Sequence, residues 1–226
     1  MKFGICSFPG SNCDYDTLYV LKDLLGQDAK FIDVKNPQLL DFDCIIIPGG
    51  FSFGDYLRAG LIAAKTALGQ EIYNFAQRGK LVVGICNGFQ ILTELKLLPG
   101  ALLKNDPPKF ICDAVYLRVE NNSSSFTKRY SQKEVIKMPI AHSQGRYFAT
   151  QETLKEIEDN SLVLLRYCGP EGEISKEFNP NGSLGNIAGI MNKEGNVFGL
   201  MPHPERACED ILSFRDGLMI WHSIIS

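Results

Sequence analysis

The sequence predicts an α/β protein, one domain built on an open, mostly parallel mixed sheet with helices on both faces. Three observations predict it. Short apolar runs, Cys44-Ile45-Ile46-Ile47 and Leu81-Val82-Val83-Gly84-Ile85, are bounded by turn residues, the pattern of strands buried on both faces. Stretches with helical apolar spacing alternate with such runs, which points to parallel strands joined by crossover helices. No internal repeat or low-complexity segment divides the 226 residues, so one sheet is expected over positions 1–226.

Taken in order, Lys2–Ser7 and Ala29–Val34 are expected strands. Between them an amphipathic helix over Tyr15–Leu25 carries Leu18, Leu21 and Leu25 at helical spacing and stops at Gly26. After Cys44–Ile47, a helix is expected over Glu71–Arg78, ended by Gly79, then the strand Leu81–Ile85 and a helix over Phe89–Leu95. The second half predicts strands at Ala114–Glu120 and Glu134–Ala141 around the polar loop Asn121–Ser125, and a helix at Gln151–Asp159. Strands at Val163–Tyr167, Ile187–Met191 and Val197–Leu200 follow, with a tight hairpin at Gly195 and a final helix from Glu209 to Ile225.

Composition narrows the function. Forty-five per cent hydrophobic and 22% charged residues supply a sizeable core. The net charge is −3, from 23 Lys and Arg against 26 Asp and Glu, and no basic run exceeds Lys128-Arg129, so no nucleic-acid partner is expected. No window approaches the ~18 apolar residues of a membrane span. Met1–Ser7 is too short an apolar run for a secretion signal, so a cytoplasmic protein is expected. Seven scattered cysteines form no Cys-x-x-Cys pair; they read as free thiols in a reducing compartment, with no metal site expected.

Ligands bind beyond the carboxyl ends of strands in such sheets, which directs attention to the segments after Ile47 and Ile85. Gly84-Ile85-Cys86-Asn87-Gly88 is Gly-x-Cys-x-Gly at a strand-to-helix junction, the thiol form of a nucleophile elbow. A cysteine there projects over the sheet, and a helix amino terminus favours anionic sulfur. A base is needed, and only His142, His203 and His222 exist. His222 beside Trp221 reads as a packing residue, whereas His203 lies in Met201-Pro202-His203-Pro204-Glu205 directly after an expected strand. Both flanking prolines push the chain to an extended form, which sends Glu205 to the same side as His203 and lets its carboxylate orient the ring. Cys86, His203 and Glu205 thus fit nucleophile, base and orienter. Pro48-Gly49-Gly50-Phe51 can expose backbone N–H groups for an oxyanion, together with Asn87. No phosphate-loop pattern follows either strand. The residues alone predict a thiol hydrolase or acyl transferase, with its substrate open.

Longer motifs narrow this. Pro9-Gly10-Ser11-Asn12-Cys13-Asp14, the run Pro48 to Gly60 (Pro-Gly-Gly-Phe-Ser-Phe-Gly-Asp-Tyr-Leu-Arg-Ala-Gly), Gly84 to Leu92 and Pro202-His203-Pro204-Glu205-Arg206-Ala207 carry a resemblance that runs nearly end to end. The chain resembles the class I glutamine amidotransferases, a flavodoxin-like fold, and within them the glutaminase subunits of phosphoribosylformylglycinamidine synthase. The resemblance implies Cys86 as nucleophile, His203 as base and Glu205 as orienter, with oxyanion donors at Gly50, Phe51 and Asn87. It implies that Gln90 and the segment His142-Ser143-Gln144 lie at the L-glutamine site, although Ser143-Gln144 replaces the family's usual Gly-Glu. It further implies no cofactor in this chain, a synthetase partner subunit that binds ATP and magnesium, and a small bridging subunit.

Overall fold

The computed structural model describes all 226 residues. Eleven strands form: β1 Lys2–Ile5, β2 Asp28–Phe31, β3 Cys44–Ile47, β4 Leu81–Ile85, β5 Ala101–Leu103, β6 Ile111–Val119, β7 Val135–His142, β8 Arg146–Phe148, β9 Val163–Cys168, β10 Ile187–Met191 and β11 Val197–Leu200. Nine of them make one sheet in the order β2-β1-β3-β4-β11-β10-β9-β6-β7, while β5 and β8 form a separate antiparallel ribbon. The first five strands of that order are parallel, and each later neighbour reverses direction. Only β10 and β6 therefore oppose the other seven. The expected mostly parallel mixed sheet is the one observed.

The helices are α1 Asp14–Leu18, α2 Leu61–Ala64, α3 Ala67–Gln77, α4 Asn87–Glu94, α5 Gln151–Asp159 and α6 Leu218–Ile225. Every residue of β3, β11 and, after Leu81, β4 is buried. Successive strand side chains point to opposite faces, so unbroken burial requires cover on both. Edge strand β7 instead alternates buried and half-buried residues, as expected of a strand with one wetter face. The amphipathic α3 buries Leu68, Ile72, Phe75 and Ala76. It begins earlier than Glu71, because the Thr66 side chain caps it by accepting from the Gly69 N–H at 3.1 Å.

Two expected helices differ. The one over Tyr15–Leu25 is α1 followed by a wider π turn, Tyr19–Leu24, in which the Leu25 N–H donates to the carbonyl five residues back, Val20. The helix from Glu209 is reduced to α6, preceded by a short 3-10 turn at Asp210–Leu212. Ser213 takes a left-handed φ of 66° and Glu209 bridges Phe214, which breaks the helical path.

This topology places three strand ends side by side. β3, β4 and β11 are sheet neighbours running the same way, with Ile47 opposite Gly84 and Leu200 opposite Ile85. The chain leaves them into Pro48-Gly49-Gly50, Cys86 and Met201-Pro202-His203 respectively.

Candidate active site

At the end of β4 the elbow forms as the glycine spacing requires. Cys86 stands at φ 52°, ψ −102°, just ahead of α4. A positive φ on a cysteine costs on the order of 1–3 kcal/mol and persists only where surroundings enforce it. They do here: a Cβ on Gly88 would lie 2.0 Å from the Ile47 carbonyl oxygen, and one on Gly84 2.6 Å from Gly88 backbone. Both positions admit only glycine, and their close approach turns the chain sharply enough to lift Cys86 over the sheet.

His203 donates Nδ1–H to Glu205 Oε1 at 2.5 Å, and both side chains are buried. The route differs from the expected extended strand. His203 is extended, but Pro204–Arg206 forms a 3-10 turn that carries Glu205 back beneath the ring. The His203 N–H bonds to the Pro139 carbonyl, which anchors the segment on β7. A Cβ on Gly49 would stand 2.7 Å from His203 Cε1, 3.1 Å from Cys13 Sγ and 3.4 Å from Cys86 Cβ. The imidazole and two cysteines thus converge over this glycine. Burial opposes charge on the His203 ring. The Glu205 carboxylate, helped by hydrogen bonding with Cys13, Cys86 and Glu205, outweighs it and holds the ring protonated well above the ordinary histidine range.

The expected oxyanion donors are arranged unequally. Asn87 opens α4, where a helix leaves its N–H without an intrahelical acceptor. Gly50 takes a φ of 140° against the Gly10–Asn12 turn, too close for a side chain. Phe51 departs from expectation: its N–H is already given to the Gly10 carbonyl at 2.9 Å, so in this conformation it cannot receive an oxyanion. Side chains then tie the loop to α4. Asn87 Oδ1 accepts from the Ser52 N–H, and its Nδ2 donates to Asp55 Oδ1 and to Gln90 Oε1. Half-burial raises Asp55 to about 6, against the opposing bond from Asn87.

Of the expected glutamine contacts, Gln90 donates Nε2–H to the Gln144 carbonyl at 2.7 Å and so clamps the loop after β7. Ser143 and Gln144 stay half-buried beside the site, near enough that the Cys86 thiol points at the Ala141 carbonyl, 3.6 Å away. His142 is turned inward instead of toward a substrate. Its Nδ1 meets Asn105 Oδ1 at 3.1 Å, its Nε2 lies 3.5 Å from Asn181 Nδ2, and the ring covers Gly145. Burial and the charge on His203 lower it to about 4, so it stays neutral. Sequence reasoning missed Cys13, Asn105 and Asn181. No local spacing signals them, since their partners are 190, 37 and 39 positions away.

Known proteins share the sequence and fold of this chain. The family model of the CobB/CobQ-like glutamine amidotransferase domain matches residues 1–214. The PurQ subunit of phosphoribosylformylglycinamidine synthase from Aquifex aeolicus is 59% identical over 226 residues, covering 100% of both chains. That of Methanosarcina barkeri is 52% identical over 225 residues, covering 100% of this chain and 97% of the relative. A chain in the structure of PurLQS from Thermotoga maritima superposes with a TM-score of 0.88 at 44% identity, covering 99% of this chain and 97% of that one. An elbow cysteine, a buried His–Glu pair on the neighbouring strand end and this end-to-end similarity lead to one assignment: the chain belongs to the glutamine amidotransferase family, in the branch of the PurQ subunits of phosphoribosylformylglycinamidine synthase.

Proposed function

We propose that this chain is a glutaminase subunit, releasing ammonia from L-glutamine for a synthetase subunit that makes phosphoribosylformylglycinamidine in purine biosynthesis. The observation that carries the reading is the His203–Glu205 pair, buried and charge-coupled, beside a cysteine held in an elbow. Cys86 sulfur, its proton handed to His203, attacks the side-chain amide carbon of glutamine, forming a C–S bond and an oxyanion. His203 gives that proton to the amide nitrogen, the C–N bond breaks and ammonia leaves. His203 then takes a proton from water, whose oxygen attacks the γ-glutamyl thioester, and returns it to the sulfur as the C–S bond breaks and glutamate departs. Glu205 keeps the ring oriented throughout. Gln90, Ser143 and Gln144 border the substrate amino acid, while His142 supports their loop from behind. This chain needs no cofactor for these steps; ATP and magnesium act in the synthetase partner, and a small third subunit bridges the two.

The oxyanion site is completed on demand. The Asn87 N–H is in place, and rotation of the Gly50–Phe51 peptide frees the Phe51 N–H from Gly10. The adjoining loop is suited to drive this. Phe53, Asp55 and Leu57 all hold positive φ values, and Tyr56 and Leu57 are 73% and 82% exposed. Strain of this kind is released cheaply when a partner covers the loop. A glutaminase idle without its synthetase wastes no glutamine. The test compares glutamine- and ammonia-dependent synthesis by the assembled complex. Cys86→Ser removes the first and leaves the second; equal loss of both, or retained glutamine turnover, contradicts the reading.

A further inference from the structure

The loop after β7 takes its shape from a buried residue that belongs to no strand or helix. Asn105 lies two positions past β5. Its backbone N–H donates to the Ser143 carbonyl at 2.9 Å. Its side-chain Nδ2 donates to the His142 and Lys109 carbonyls, each at 2.9 Å, and its Oδ1 accepts from the Gly145 N–H at 2.9 Å. Those two carbonyls and that N–H leave the amide one orientation. Oδ1 also faces His142 Nδ1 at 3.1 Å, so every hydrogen-bonding valence of the side chain is used. The same inventory fixes the imidazole. An oxygen can only accept, so Nδ1 carries the proton and Nε2 is left to face the Asn181 amide, which also donates to the Gly145 carbonyl.

We infer that Asn105 is a positioning residue for glutamine, holding the main chain of His142–Gly145 in the shape that sets Ser143 and Gln144 against the substrate amino acid. The inference rests on the glutaminase reading. Its bonds to the His142 and Ser143 carbonyls and to the Gly145 N–H bracket Gln144 from both sides, while Gln90 takes the Gln144 carbonyl between them. The half-buried Ser143 and Gln144 therefore have their places set before a ligand arrives. None of these bonds reaches Cys86, His203 or Glu205. Without the amide, the His142 carbonyl and the Gly145 N–H lose buried partners, the loop samples other shapes, and glutamine must order it on binding. That cost falls on ground state and transition state alike, which raises KM and spares kcat.

The test measures glutamine-dependent synthesis by the assembled complex for the parent, Asn105→Ala and Asn105→Asp. Active sites are counted by labelling Cys86 with a glutamine-mimicking diazoketone at saturation. Asn105→Asp keeps the size and the acceptors but turns the donor group into an oxygen facing two carbonyls. Both variants are expected to raise the KM for glutamine about tenfold or more, with kcat per labelled site within about threefold of the parent. Ammonia-dependent synthesis stays at the parent rate. A residue that only stabilises the fold would lower the number of labelled sites and leave the KM of the remainder in place; that result overturns the inference. So does a kcat that falls as far as kcat/KM. Where Asn105→Ala assembles no complex, Asn105→Asp decides, and failure of both to assemble overturns the inference in favour of a structural role. A parent complex that turns over no glutamine defeats the glutaminase reading and this role with it, a result seen before any variant is made.

Discussion

Glu205 sets the acid–base range of the site, since its carboxylate overcomes the burial that would otherwise discharge His203. Glu205→Gln keeps a hydrogen-bonding side chain but removes that charge. The imidazolium is then lost at lower pH, so the alkaline limb of glutaminase kcat/KM moves down by at least about one pH unit. The turnover number falls by about a hundredfold or more, as when an orienting acid is neutralised in a comparable triad. An alkaline limb that stays in place contradicts the account. His142 acts on stability with the opposite sign. Its folded value, about 4, lies below the ordinary 6.5, so unfolding takes up a proton at intermediate pH. The stabilisation is complete above 6.5 and drains away as pH falls toward 4, by about 2 kcal/mol between pH 7 and pH 5. The raised His203 shifts the other way, so urea unfolding is compared with His142→Gln, which is expected to lose less stability on acidification than the parent. Equal losses would sink this assignment. The elbow at Cys86 and the pairing of His203 with Glu205 were legible as geometry, because short motifs with glycine and proline punctuation carry them. The inward face of His142 was not, because it depends on Asn105 and Asn181 arriving from other segments.

Elements show the same division. Strands β3, β4, β10 and β11 were readable as apolar runs because central strands are covered on both faces. The ribbon of β5 and β8 was not, since three-residue strands pair through tertiary packing without a pattern of their own. Nor does apolar periodicity report the left-handed Ser213 that shortens the last helix. The elbow makes the most demanding claim at this scale, because α4 can approach β3 only across a bare Gly88. Gly88→Ala forces a methyl group against the Ile47 carbonyl, and backbone cannot swing aside as a side chain can. A loss of about 3 kcal/mol in urea unfolding is expected, with glutaminase activity falling as Cys86 is displaced. Stability within about 0.5 kcal/mol of the parent would show that the close approach is not structural.

Across the molecule, the sheet works as an assembly jig. Three neighbouring parallel strands, β3, β4 and β11, end together and deliver the glycine turn, Cys86 and His203, the proposed nucleophile and base, from positions far apart in sequence. The antiparallel half contributes the other wall, through the Pro139 carbonyl that receives the His203 N–H and the Ala141 carbonyl beside Cys86. No helix is long and apolar enough to cross a membrane. Exposed Tyr56 and Leu57 lie on the loop proposed to complete the oxyanion site, and Phe110 reaches that loop through Phe51, their ring centroids 6.4 Å apart. The two thiols flanking His203 allow a direct choice between nucleophiles. A glutamine-mimicking diazoketone is incubated with the assembled complex, and the labelled peptide is located by mass spectrometry. The account predicts a single adduct on Cys86, suppressed in His203→Gln; an adduct on Cys13 instead, or none while glutamine is still consumed, would contradict it.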